Sequence, residues 1–102
     1  MRKAENSFVY FIRLGSNGPI KIGFTRDPGQ RLRQLQTSTP EQLIMVECVR
    51  GTRDLERGLH DVFSDMRLSG EWFLVNEDLL ELLNSDAIKS ASIANSAPVS
   101  TT

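Results

Sequence analysis

The chain reads as an α/β protein of the α+β kind: a small domain whose central three-stranded antiparallel sheet is flanked by helices. Three observations predict this. A β-branched and aromatic run, residues 8–13, is followed by dense turn residues and a second alternating run, which makes a hairpin. Two later segments carry helical periodicity. The 102 residues, 39% of them hydrophobic, are enough for one core and not for two.

Phe8-Val9-Tyr10-Phe11-Ile12-Arg13 is the first strand, and Gly15-Ser16-Asn17-Gly18-Pro19 turns the chain. Ile20-Lys21-Ile22-Gly23-Phe24 follows as its partner, with Ile20, Ile22 and Phe24 on one face and Lys21 on the other. Asp27-Pro28 starts a helix, because Asp caps free amides and Pro is tolerated at the first helical position. That helix runs to about Gln36 and ends at Thr37-Ser38-Thr39-Pro40. Leu43 to Val49 is a strand-like run containing Cys48, expected as a buried, inert thiol.

Thr52 to Met66 has the clearest helical period. Leu55, Leu59, Val62, Phe63 and Met66 fall on one stripe, with Glu56 and His60, four apart, on its flank. Glu71-Trp72-Phe73-Leu74-Val75 is a short strand after Ser69-Gly70, and Asn76 caps a last helix containing Leu79, Leu80, Leu82 and Leu83. From Asp86 the chain is Ser, Ala, Thr, Asn and Pro without periodicity. The pattern therefore predicts a folded domain over 1–85 and a disordered tail over 86–102.

Several classes are excluded or disfavoured. No apolar run approaches the ~20 residues of a membrane-spanning helix. Met1-Arg2-Lys3-Ala4-Glu5 leads into no apolar stretch, so no secretory signal is expected. A single cysteine makes neither an internal disulfide nor a cysteine zinc site, and a cytoplasmic location is the expectation. There is no Gly-rich phosphate loop and no Gly-x-Ser-x-Gly elbow. Net charge is -1, but residues 1–40 hold seven Lys/Arg against two acids, and residues 41–85 hold four against ten. A basic half beside an acidic half can form a phosphate-facing surface.

Tyr10, Lys21 and Arg31 lie eleven and ten residues apart, and Glu56 follows downstream. A phenol, two cations and one acid can assemble a metal-dependent phosphodiesterase site where the fold brings them together. Phosphodiester hydrolysis needs an activated water, neutralised phosphoryl oxygens and help for the leaving oxygen. A phenol of ordinary pKa about 10 needs its anion stabilised, and Lys21 on the paired strand is placed to do so. Arg31 suits phosphoryl oxygens through its planar, always charged fork.

With the strand-turn-strand-helix-strand-helix order, Tyr10, Lys21-Ile22-Gly23, Arg31 to Thr37, Glu56, Leu59-His60 and Gly70-Glu71-Trp72-Phe73 give a pattern that resembles the GIY-YIG nuclease superfamily, in particular its small phage and bacterial branch. The resemblance spans residues 8 to 75. It departs at Phe8-Val9-Tyr10, which keeps only the tyrosine of the first motif, and at Lys21, which replaces the tyrosine of the second.

The resemblance implies a divalent-metal-dependent endonuclease hydrolysing DNA, with RNA left open. Tyr10 would be the general base, Lys21 its activator, Arg31 the transition-state clamp, and Glu56 the ligand of Mg²⁺, for which Mn²⁺ could substitute. His60 would relay a proton, bind the scissile phosphate or orient a metal-bound water. Arg26 and Arg33 would contact flanking phosphates. Glu71 reads as structural or as a second acid. The alternative is a catalytically silent DNA-binding module on the same scaffold, suggested by the two motif departures.

Overall fold

The computed structural model describes residues 6–93. The order is β1 (Phe8–Leu14), β2 (Ile20–Thr25), α1 (Pro28–Gln36), β3 (Leu43–Arg50), α2 (Arg53–Val62), a 3₁₀ turn (Ser64–Met66), β4 (Arg67–Ser69), β5 (Trp72–Phe73), α3 (Glu77–Leu83) and α4 (Asp86–Ala91). The strands form one antiparallel sheet in the order β3-β1-β2-β5-β4. The sheet thus has five strands where the sequence pattern predicts three. β5, two residues long, falls within the short strand expected over 71–75 and joins the sheet, and β4, three residues long, is a strand the pattern does not predict. So short and exposed a strand as Arg67-Leu68-Ser69 has no alternation of its own; pairing with β5 across a turn makes it one.

β1 lies inside the sheet, and Val9 to Ile12 are each fully buried, which explains an apolar run without polar alternation. Its alternate residues feed two cores. Val9 and Phe11 join Ile20, Ile22, Leu59, Phe63, Phe73, Leu79 and Leu83 on the face covered by α2 and α3. Tyr10 and Ile12 join Leu43, Cys48, Leu32 and Leu35 on the α1 face. Burial there pushes the Cys48 thiol up to about 11, as expected of an inert cysteine.

α1 begins as predicted: Pro28 opens it and the Asp27 carboxylate accepts the Gln30 N–H at 3.0 Å. α2 departs from its expected stripe. It ends at Val62 instead of Met66, Val62 and Leu55 are exposed, and the buried face is Glu56, Leu59 and Phe63. Positions 56, 59, 60 and 63 are themselves an i, i+3, i+4, i+7 set, so the helix has rotated its apolar stripe to bring an acid inward.

The expected tail also changes at its start. Ser85 caps α4, accepting the Ile88 N–H at 3.3 Å, and Ile88 packs on the core. Lys89 reaches Glu47 at 3.2 Å, and the Ile93 N–H bonds the Cys48 carbonyl at 2.8 Å. These long-range contacts order a segment whose composition carries no periodic signal. Residues 94–102 of the predicted tail lie outside the described residues. No described helix is long and apolar enough to cross a membrane.

Candidate acid-phenol site at the open edge of the sheet

β5 covers the edge of β2 only as far as Ile22. Ile20 and Lys21 pair with Phe73 and Trp72, and the Glu71 carbonyl takes the Ile22 N–H at 3.0 Å. Beyond that point no strand among the described residues pairs with this edge, and side chains from both faces of the sheet converge there.

From the α1 face comes Tyr10. It sits opposite Gly23 in the β1–β2 register, and a β-carbon on Gly23 would overlap its ring and hydroxyl. Glycine is therefore required so that the phenol can lie across β2. The Arg31 guanidinium, one turn into α1, donates to the phenol oxygen at 3.5 Å. Burial raises the phenol pKa above its usual 10. The Arg31 bond opposes this, and the charges of Glu71 and Glu56 add to it.

From the α2 face come Glu56 and His60. The Glu56 residue is 5% exposed. Its carboxyl is held above the usual carboxylate range first by burial, then by a hydrogen bond and like charge from Glu71, while His60 and Arg53 pull it down. Glu71 is placed by the turn between β4 and β5, where Gly70 adopts a φ of 56°. The sequence pattern leaves Glu71 outside the principal site. Its one signal is the Gly70-Glu71 pair, a turn glycine aiming the next side chain.

His60 Nε2 lies 2.8 Å from the Ile22 carbonyl, the backbone acceptor that β5 leaves uncovered, and 3.9 Å from Glu56 Oε2. In the neutral ring Nε2–H donates to that carbonyl, so this nitrogen has no lone pair for a metal. His60 also packs against Phe73, with ring centroids 5.1 Å apart. It therefore acts as a bracket that fixes α2, and with it Glu56, against the sheet edge.

Glu56, His60 and Glu71 each present a candidate donor atom within 4.8 Å of the others. The two carboxylates fit a hard divalent cation: like charge meets where one of them, Glu56, is buried, and a cation relieves it. Mg²⁺ commonly uses one or two carboxylates and keeps several waters, which matches two acids without an imidazole.

Other predicted residues take different places. Lys21 pairs with Glu71 at 3.4 Å and lies 5.4 Å from the Trp72 ring centre, so Arg31 occupies the position beside the phenol that the sequence pattern assigns to Lys21. Ion pairing explains this: Lys21 leans along the sheet to the nearest carboxylate. Arg26 lines a cleft of about 320 Å³ next to the acids, together with Arg31, Arg53, Phe24 and Gln30. Arg33 is exposed on α1 and is not among the residues lining that cleft. Arg53 and Phe24, which no motif singled out, form its far wall.

A small α+β domain with an acid pair, a phenol and a guanidinium gathered at one sheet edge is thus defined by fold and site together. The T5orf172 domain model matches residues 7–87, so the chain belongs to the T5orf172 domain family, one associated with nucleic-acid-related, nuclease-like function. No curated protein and no solved structure matches the chain. The family match corrects the GIY-YIG resemblance, which pointed to a different family. The tripeptides that carried the resemblance answer to packing: Ile22 is core, and Gly23 makes room for Tyr10.

Proposed function

We propose that this domain is a divalent-metal-dependent endonuclease that hydrolyses DNA phosphodiester bonds. The observation that carries the reading is the meeting of Glu56, Glu71 and the Arg31-bonded Tyr10 hydroxyl at the uncovered edge of β2. Glu56 and Glu71 would hold Mg²⁺ or Mn²⁺, which supplies Lewis-acid polarisation of a phosphoryl oxygen and charge neutralisation. Arg31 binds the non-bridging oxygens through its fork and meets the charge that builds on them. Tyr10, in its phenolate form, would orient the attacking water and take up its proton as the P–O bond to the leaving oxygen breaks, and solvent would protonate that oxygen. Its raised pKa opposes a standing phenolate at neutral pH, and the Arg31 bond is what offsets that. Lys21 pairs with Glu71, and His60 would hold the α2 acid in place.

One observation favours the alternative of a silent DNA-binding module: Tyr10 is fully buried in the free protein. Nicking of supercoiled plasmid separates the two. The hydrolytic reading expects nicks with Mg²⁺ or Mn²⁺, none with EDTA, and loss of nicking in both Glu56→Gln and Arg31→Ala. Plasmid binding without nicks under any divalent ion would establish the silent module, and nicking that survives both substitutions would remove the hydrolytic mechanism.

A further inference from the structure

The cleft beside the acids has a wall that hydrolysis does not use. Arg53 opens α2 and lays its guanidinium over the Phe24 ring, 4.5 Å from the ring centre. Its side chain remains 64% exposed. The guanidinium thus lies against an aromatic ring, and both groups line the cleft. The helix's own stability does not explain this cation. The first turn of a helix favours negative charge, so an arginine at its first position is electrostatically misplaced. Its contact with the buried Glu56 carboxylate is long, at 3.8 Å, and the arginine end of it stays largely in solvent.

The rest of the cleft is anion-seeking. Arg26 and Arg31 line it with Arg53, and the one carboxylate among the lining residues, Asp27, is committed to capping α1. At about 320 Å³ it is at the small end of ligand pockets, on the scale of one nucleotide and not of a base pair. Arginine planes and aromatic rings are the surfaces on which unstacked bases rest.

We propose that this cleft seats one unpaired nucleotide next to the reacting phosphate, its base stacked on the Phe24–Arg53 pair and its own phosphate on Arg26, while Arg31 stays with the reacting phosphate. The substrate is then a nucleic acid with an unpaired segment, not a regular duplex. This rests on the nuclease reading for the word "reacting", but its test does not need hydrolysis.

Fluorescence anisotropy in EDTA would compare short labelled single-stranded DNA, single-stranded RNA, duplex DNA and duplex DNA with a central unpaired loop. Stacking one base is worth on the order of tenfold in affinity. The unpaired or looped forms are therefore expected to bind about tenfold tighter than the duplex. Arg53→Lys, which keeps the charge and loses the plane, should bring that ratio to within about twofold of one, and Phe24→Ala should do the same. Arg53 is on the surface, so the lysine variant reports even if Phe24→Ala fails to fold. Whichever of DNA or RNA shows the preference identifies the sugar. Equal or tighter duplex binding by the wild type, or a ratio unmoved by Arg53→Lys, would overturn the proposal. Absence of cleavage of the plasmid and of the looped duplex alike, with Mg²⁺ or Mn²⁺, would remove the hydrolytic reading while leaving this ratio intact.

Discussion

Two glutamates are buried in this domain to almost the same depth, and they could hardly be more different. Glu56 on α2 and Glu47 on β3 have side chains 6% and 4% exposed. Glu47 has a lysine for company: Lys89 of α4 meets its Oε2 at 3.2 Å, and its Oε1 finds no hydrogen-bond partner among the described residues. Glu56 has another acid, with Arg53 at 3.8 Å and a histidine bonded elsewhere to relieve it. The first arrangement is closed, a clasp that ties α4 to the sheet. The second sets one acid against another, with Lys21 3.4 Å from Glu71 and Arg53 3.8 Å from Glu56, and that meeting of acids is what makes it a candidate site. Burial alone therefore says little about an acid's role; the sign of its nearest neighbour decides.

The contrast is sharpest in activity. Glu56→Gln keeps shape and removes the charge, and it should lower plasmid nicking by about 100-fold or more, the scale expected when a metal's direct ligand goes. Glu47→Gln should leave nicking within about twofold of wild type. Equal losses in the two variants would mean that Glu56 serves the fold and nothing else.

Gly23→Ala tests whether the phenol must lie across β2. The added carbon would overlap the Tyr10 ring, and overpacking of this kind costs about 1–3 kcal/mol. Urea melts should show that loss, and nicking should fall further than stability alone explains, because the hydroxyl is displaced. A neutral Gly23→Ala would place the phenol elsewhere.

The clasp predicts a smaller effect. Lys89→Met strands the Glu47 carboxylate, but Lys89 is itself 46% exposed, so the full cost of breaking a buried pair is reduced by solvent. A loss of roughly 1–2 kcal/mol is expected, and Glu47→Leu with Lys89→Met should recover most of it. A double variant no better than Lys89→Met would contradict the clasp.

The mildest test is pH. Folding raises the Glu56 pKa above its usual 4.5, so the protonated carboxyl is the form the fold prefers. Its contribution to stability is fully present below the unfolded value, and it declines as pH rises through the folded one. In EDTA, wild-type stability should fall across that window, Glu56→Gln should lack that component, and Mg²⁺ should restore wild type above it. A Glu56→Gln curve parallel to wild type would show that the acid pair is not strained.

Much of the fold could be read from residues alone. The hairpin, the Asp27-Pro28 helix start, the Asn76 cap and the β3 run all answer to local rules of turn, cap and propensity, and each is where those rules put it. The failures share a cause. Leu55 and Val62 fit the helical stripe and are exposed, β4 has no alternation, and α4 is held by Lys89, Ile88 and Ile93 contacting residues some forty positions away. Each depends on what packs opposite.

The site divides the same way. Sequence alone determined the chemical inventory: a phenol, a guanidinium near a helix start and an acid four residues before a histidine, with a glycine opposite the phenol's strand. Side-chain type and local backbone rules are enough for that. Only the tertiary structure decided who meets whom. It put Arg31 and not Lys21 on Tyr10, brought Glu71 to Glu56, turned His60 to a backbone carbonyl and laid Arg53 on Phe24. The reason is physical: charges and hydrogen bonds act over a few ångströms, and those separations are set by where β5 stops and how α2 rotates, which depend on packing across the whole chain.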